Sequence, residues 1–152
     1  MDHEQRSALI EQYIDGYRVV VAALEGADLD AREAPGEWSP RAVVHHLADS
    51  EMTSAIRLRR VLVEDRPLVQ GYDQDAFAAI LFYDRPIEAS LAAFKAARDS
   101  CAEILTRLND EQWRREGEHS DSGTYRLSDW LEIYGVHAHE HADQIRRSQQ
   151  IR

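Results

Sequence analysis

Two histidines four residues apart, His137 and His141, and a doublet far upstream, His45 and His46, are the residues of this chain best suited to chemistry. Imidazole is the commonest metal-binding side chain at neutral pH. A four-residue interval on a helix puts both rings on one face, roughly 6 Å apart along the axis. Such a pair can clamp one ion, and a histidine from a second helix would complete a three-nitrogen site. The competing reading is a pair on a polar flank plus one histidine hydrogen-bonded inside a core. The elements that carry the residues decide between the two.

Apolar residues recur at helical spacing over four long segments, and no stretch alternates as a strand would. The first helix is expected over residues 2–25, with Leu9, Ile10, Tyr13, Ile14, Tyr17, Val20, Val21 and Leu24 at three- and four-residue steps and Gly26 at its end. A linker over 27–38 holds Pro35 and Gly36. Ser39 then offers an N-cap and Pro40 a first-turn residue for a second helix reaching about residue 64. A third helix is expected over 86–108, carrying Leu91, Phe94, Cys101, Ile104, Leu105 and Leu108, and a fourth over 127–148.

Residues 109–125 read as a polar, glycine-containing connection. The stretch 65–85, with Pro67, Gly71 and a short helical turn at 74–81, is long for a simple link between helices. It can carry the chain back along the bundle, so that the second and third helices run the same way. The fold class expected is therefore all-α, a four-helix bundle forming a single domain over residues 1–152.

A helical wheel sorts the histidines. On the last helix Leu127, Leu131, Tyr134, Ala138 and Ile145 form the apolar face; His141 lies about 30° from its centre and His137 about 70°. His139 and Glu140 point toward solvent on this wheel. On the second helix, His46 lies about 110° from the apolar centre and His45 about 150°. The wheel favours His46 as an inward-leaning residue without deciding between the two.

Bulk composition narrows the classes. Hydrophobic residues make up 43% of the chain and charged ones 30%, which suits an ordered globular protein. Net charge is −10, against a nucleic-acid partner, since phosphate binding needs a concentrated basic surface. The densest basic stretch, Arg57, Arg59 and Arg60, is followed by Glu64 and Asp65 and reads as a solvated helix face. The lone cysteine, Cys101, permits no internal disulfide and reads as a buried, inert thiol in a reducing compartment. No signal peptide is visible at the N-terminus, and no apolar run approaches a membrane span. A cytoplasmic protein with no membrane and no nucleic-acid partner is expected.

Two segments carry a family resemblance. Glu37-Trp38-Ser39-Pro40-Arg41-Ala42-Val43-Val44-His45-His46-Leu47-Ala48-Asp49-Ser50-Glu51 resembles the second-helix signature of the DinB/YfiT-like superfamily, a Trp-Ser helix start leading to a histidine and Leu-Ala-Asp. Tyr134-Gly135-Val136-His137-Ala138-His139-Glu140-His141-Ala142-Asp143-Gln144-Ile145 is similar to that superfamily's last-helix signature, two histidines four apart followed by Gln-Ile. The stretch from Arg57-Leu58-Arg59 through Pro67 to Tyr72-Asp73 resembles the YfiT branch.

The resemblance implies an up-down-down-up bundle and a histidine triad for a divalent transition metal, zinc or nickel. Carried over by position, the ligands are His46, His137 and His141. It further implies hydrolysis, or transfer in which a low-molecular-weight thiol attacks a small-molecule electrophile, and it leaves room for a homodimer. Three imidazoles leave such an ion an open position, the mark of a catalytic site, where water or a thiol loses its proton near neutral pH.

A peptidase of the zincin type is disfavoured, because Ala138 and not glutamate follows His137. Asp49, one turn beyond His46, is a candidate to orient a ligand histidine. Trp38, Tyr134 and Trp130 are candidates to line the cleft, and Arg57 to meet an anionic substrate. The reading from another class is a non-catalytic dimeric stress-response bundle whose metal is structural or vestigial.

Overall fold

The computed structural model describes residues 1–150; residues 151 and 152 of the expected domain lie outside the described residues. In chain order the elements are α1 (His3–Leu24), α2 (Pro40–Val63), β1 (Leu68–Val69), α3 (Gln74–Ile80), α4 (Glu88–Leu105), α5 (Asp110–Trp113), β2 (Glu116–His119), β3 (Gly123–Arg126) and α6 (Leu127–Ser148). Local chemistry sets the starts of the first two helices. Asp2 accepts from the Gln5 backbone N–H at 2.8 Å while the Gln5 side chain returns to the Asp2 N–H at 3.1 Å. Ser39 caps α2 through the Ala42 N–H at 3.3 Å, with Pro40 in the first turn, where a missing N–H costs nothing.

The four long helices α1, α2, α4 and α6 form the bundle, and cross-helix hydrogen bonds give their directions. The Trp130 indole donates to the Ser54 carbonyl at 2.9 Å, and His46 meets His137 at 3.2 Å, so α2 and α6 are antiparallel. His45 reaches Ser90 and Arg59 reaches Ser100, both at 2.7 Å, so α2 and α4 run the same way. His139 bonds the Gln12 carbonyl at 3.0 Å and the Asp28 N–H bonds Gln149 at 2.8 Å, so α1 and α6 are parallel. The order is up-down-down-up, with residues 64–87 carrying the chain back between α2 and α4.

The segments outside the bundle correct the sequence reading in one respect: strands are present. Parallel pairing of β1 with β2 and antiparallel pairing of β2 with β3 build a three-stranded sheet at one end of the bundle. Gly117 lets β2 close on the link after α2, since a Cβ there would stand 2.5 Å from the Pro67 carbonyl oxygen. α5 is a single turn, stapled by reciprocal bonds between Asn109 and Gln112.

Two apolar clusters fill the interior. Tyr13, Leu58, Val61, Cys101, Leu105, Leu127, Trp130, Leu131 and Tyr134 pack toward the sheet. Val20, Val43, Leu47, Phe94, Ala138, Ala142 and Ile145 pack toward the other end. Arg98 touches both, its guanidinium 3.9 Å from the Tyr13 ring and 5.5 Å from Phe94. It pairs with Glu51 and donates to the carbonyls of Tyr13 and Tyr134. Both members of the pair are buried. Gly16 makes room for it: a Cβ there would lie 2.6 Å from the guanidinium. No helix among the described residues is long and apolar enough to cross a membrane.

Candidate metal centre

His46 comes from the second turn of α2, and His137 and His141 lie one turn apart on α6. Antiparallel packing of these two helices brings the three rings together. The His137 Nε2 atom lies 3.2 Å from the His46 Nε2 and 3.1 Å from the His141 Nε2. All three residues can offer nitrogens within 4.8 Å of one another, and they form a group able to hold a metal ion. His46 is buried, while His137 and His141 are half-buried.

The charge state of this cluster follows from its burial. Desolvation, followed by the adjacent His141, holds His46 down to about 3. Burial first and the neighbouring histidines and Arg98 second hold His137 down to about 2. His141 is lowered by burial, opposed in part by its hydrogen bond to Gln144. All three rings are neutral at neutral pH and keep lone pairs for a cation.

The donor geometry fits a small divalent ion. Imidazole nitrogens bound tetrahedrally at about 2.0–2.1 Å stand roughly 3.3–3.4 Å apart, close to the spacing seen here. Without a cation, three imidazole nitrogens crowd one another with at most one hydrogen bond per proton, an arrangement a buried cluster does not favour. The Nδ1 atoms of His46 and His137 are buried and have no partner, whereas the His141 Nδ1 lies 2.8 Å from the Gln144 Oε1.

Aromatic rings wall the cluster. Trp38, held at the start of α2, lies 4.6 Å from the His46 ring and 6.5 Å from His141, stacked on the latter at 25°. The Tyr134 ring meets His137 edge-on at 6.0 Å. Beside His141 a pocket of about 300 Å³ opens between the linker before α2 and the start of α3, lined by Trp38, Gln74, Asp75 and Gln144. Trp130, the third aromatic candidate, is instead fully buried in the core.

Other candidates fall elsewhere. The Asp49 carboxylate accepts from the Tyr83 hydroxyl at 2.6 Å and forms no bond to the three histidines. The side chain that does meet one of their Nδ1 atoms is Gln144, three residues beyond His141, where the sequence reading assigned no role. Arg57 donates to the Tyr134 hydroxyl at 3.1 Å and the Gln70 carbonyl at 2.7 Å. His139 is half-buried against α1 and not solvated, though Glu140 is exposed. Cys101 is buried, and burial pushes its thiol up.

His45 departs most from its wheel position. It is fully buried, with Nε2 2.9 Å from the Arg85 carbonyl and Nδ1 2.7 Å from the Ser90 hydroxyl. A carbonyl can only accept, so Nε2 carries the proton and Nδ1 accepts from Ser90. Residues 83–90 cover a flank that α2 alone would leave to solvent.

The sequence profile of the DinB superfamily matches residues 9–145, and the chain belongs to that superfamily. A protein of Oceanobacillus iheyensis is 33% identical over 125 residues, 82% of this chain and 73% of that one. YfiT of Bacillus subtilis is 30% identical over 139 residues, 90% of this chain and 78% of its own. Both carry the name "Putative metal-dependent hydrolase". The solved YfiT structure superposes with a TM-score of 0.91 over 99% of this chain and 89% of that one, at 29% identity. It is described as a "probable metal-dependent hydrolase with an unusual four-helix bundle topology".

Proposed function

We propose that this chain is a metal-dependent hydrolase in which His46, His137 and His141 hold one zinc or nickel ion. The observation that carries the reading is the convergence of three neutral imidazole Nε2 atoms, spaced 3.1 and 3.2 Å, on a half-buried seam between α2 and α6. A divalent ion at such a set supplies a Lewis acid that lowers the pKa of water or a thiol at its open position.

The chain's own residues then do three things. His46, His137 and His141 bind as imidazoles that burial keeps neutral. Trp38 covers one side of the His46 ring and keeps water from it. The pocket beside His141, about 300 Å³, admits only a small molecule or one end of a larger one. No carboxylate of the described residues bonds to the triad, so peptidase chemistry with a paired glutamate is not what the site offers.

The test begins with metal content. Wild-type protein purified from metal-replete medium is expected to carry about one zinc or nickel ion per chain, and a His137→Ala, His141→Ala double variant close to none. Equal and negligible metal in both proteins overturns the reading. The loaded protein is then offered ester, amide and alkylating electrophiles, alone and with glutathione, bacillithiol or mycothiol. Hydrolysis without a thiol supports the proposal. Turnover that requires a thiol replaces it with a thiol S-transferase, and no turnover in any pairing favours the non-catalytic bundle.

A further inference from the structure

The three rings of the cluster are not equivalently held. Each neutral imidazole carries one proton, and the nitrogen that carries it is set by what the other nitrogen meets. At His46 and His137 the Nδ1 atoms are buried and have no hydrogen-bond partner. At His141 the Nδ1 faces the Gln144 Oε1 at 2.8 Å. One turn of α6 separates the two residues, so the bond is built into the helix and needs no outside element.

Resting on the metal-site reading above, we infer that Gln144 is the positioning residue of the centre: its carbonyl oxygen holds the proton of His141 on Nδ1 and leaves the Nε2 lone pair facing His137 and His46. The amide could face the ring in two ways, and only one serves a metal. With the oxygen inward, Nδ1–H donates and Nε2 is free. With the nitrogen inward, Nδ1 accepts and the proton moves to Nε2, into a space shared with another ring nitrogen 3.1 Å away. The structure has the first orientation, with Oε1 set against Nδ1.

Gln144 thereby fixes the polarity of the whole cluster. An unprotonated His141 Nε2 is an acceptor for a His137 Nε2–H at 3.1 Å in the metal-free protein. Once a cation arrives, His141 needs no proton shift to bind it, whereas His137 must move its proton to the unbonded Nδ1. The order of ligation follows: His141 is the preformed ligand and His137 the one that rearranges. Gln144 touches neither substrate nor metal on this account. It acts through His141 alone, and its half-buried position beside the pocket means that replacing it leaves the core intact.

The experiment uses the full chain and three substitutions. Gln144→Glu keeps an acceptor at the same reach, Gln144→Met keeps the length without an acceptor, and Gln144→Ala removes the acceptor without adding bulk. In metal-free protein with nitrogen-labelled histidine, long-range proton–nitrogen NMR reads the tautomer of His141. Wild type and Gln144→Glu are expected to hold the proton on Nδ1, and the Met and Ala variants to shift it toward Nε2. Zinc affinity, measured by competition with a chromogenic chelator, is expected to fall about 10–100-fold in Met and Ala and not in Glu. An unchanged tautomer and affinity in the Met and Ala variants overturns the inference, as does a Glu variant that falls as far as they do. If wild type binds neither zinc nor nickel, the metal-site reading fails, and the tautomer measurement still decides the role of Gln144.

Discussion

The doublet His45-His46 illustrates how neighbouring residues of one type acquire opposite duties. A step of about 100° around α2 separates a ring aimed at α6 from a ring clamped by Ser90 and the Arg85 carbonyl. The two should therefore fail differently. His46→Ala is expected to lose bound metal with little change in unfolding free energy of the metal-free protein. His45→Phe takes the ring N–H from the half-buried Arg85 carbonyl and leaves the Ser90 hydroxyl only the Arg85 guanidinium at 3.4 Å, a cost of about 1–3 kcal/mol, while metal stoichiometry stays at the wild-type value. Urea unfolding and elemental analysis of both variants check this, and the reverse pattern would exchange their roles. The wheel could place His137 and His141 because α6 carries its own clear apolar face. It could not settle His45, because the flank that buries it is covered by residues 83–90, which no property of α2 predicts.

At the scale of elements, the four long helices were readable from apolar spacing, the end of α1 from Gly26 and the start of α2 from Ser39 and Pro40. The sheet was not. Strands β2 and β3 are four residues each, and Glu116-Gly117-Glu118-His119 has neither alternation nor a β-branched side chain; pairing with β3 across the turn and with β1, far back in the chain, makes it a strand. The buried Arg98–Glu51 pair was legible in principle, since Arg98 falls between Phe94 and Cys101 on the apolar stripe of α4 and Glu51 between Leu47 and Ser54 on that of α2.

A charge at the centre of an apolar stripe signals a buried partner on a facing helix. Removing one partner strands the other charge in the core, which costs about 3–5 kcal/mol. Glu51→Leu and Arg98→Met alone are each expected to destabilise by that amount, and the double variant to recover most of the loss. Chemical unfolding of the four proteins in a double-mutant cycle measures the coupling. Additive losses would mean that the two side chains stabilise the helices independently.

For the whole molecule, the candidate centre matters because of which elements it joins. α2 and α6 are far apart in sequence and antiparallel in space, and the long return through residues 64–87 keeps α2 beside α4. A cation bound by His46 of α2 and by His137 and His141 of α6 fastens the first half of the chain to its last helix. Binding of this kind requires the assembled bundle, so it stabilises the native state alone. At free zinc one hundred times the dissociation constant, that contribution is about 2.7 kcal/mol. For a chain of this size it corresponds to a rise in Tm of roughly 5–11 °C. Differential scanning calorimetry with zinc, and again after excess chelator, is expected to show the rise and its reversal, and neither in the His137→Ala, His141→Ala variant. A rise of equal size in that variant would place the bound zinc somewhere other than the seam between α2 and α6. The fold would then owe nothing to the triad, and the convergence of the three rings would have to be explained by packing against Trp38 and Tyr134.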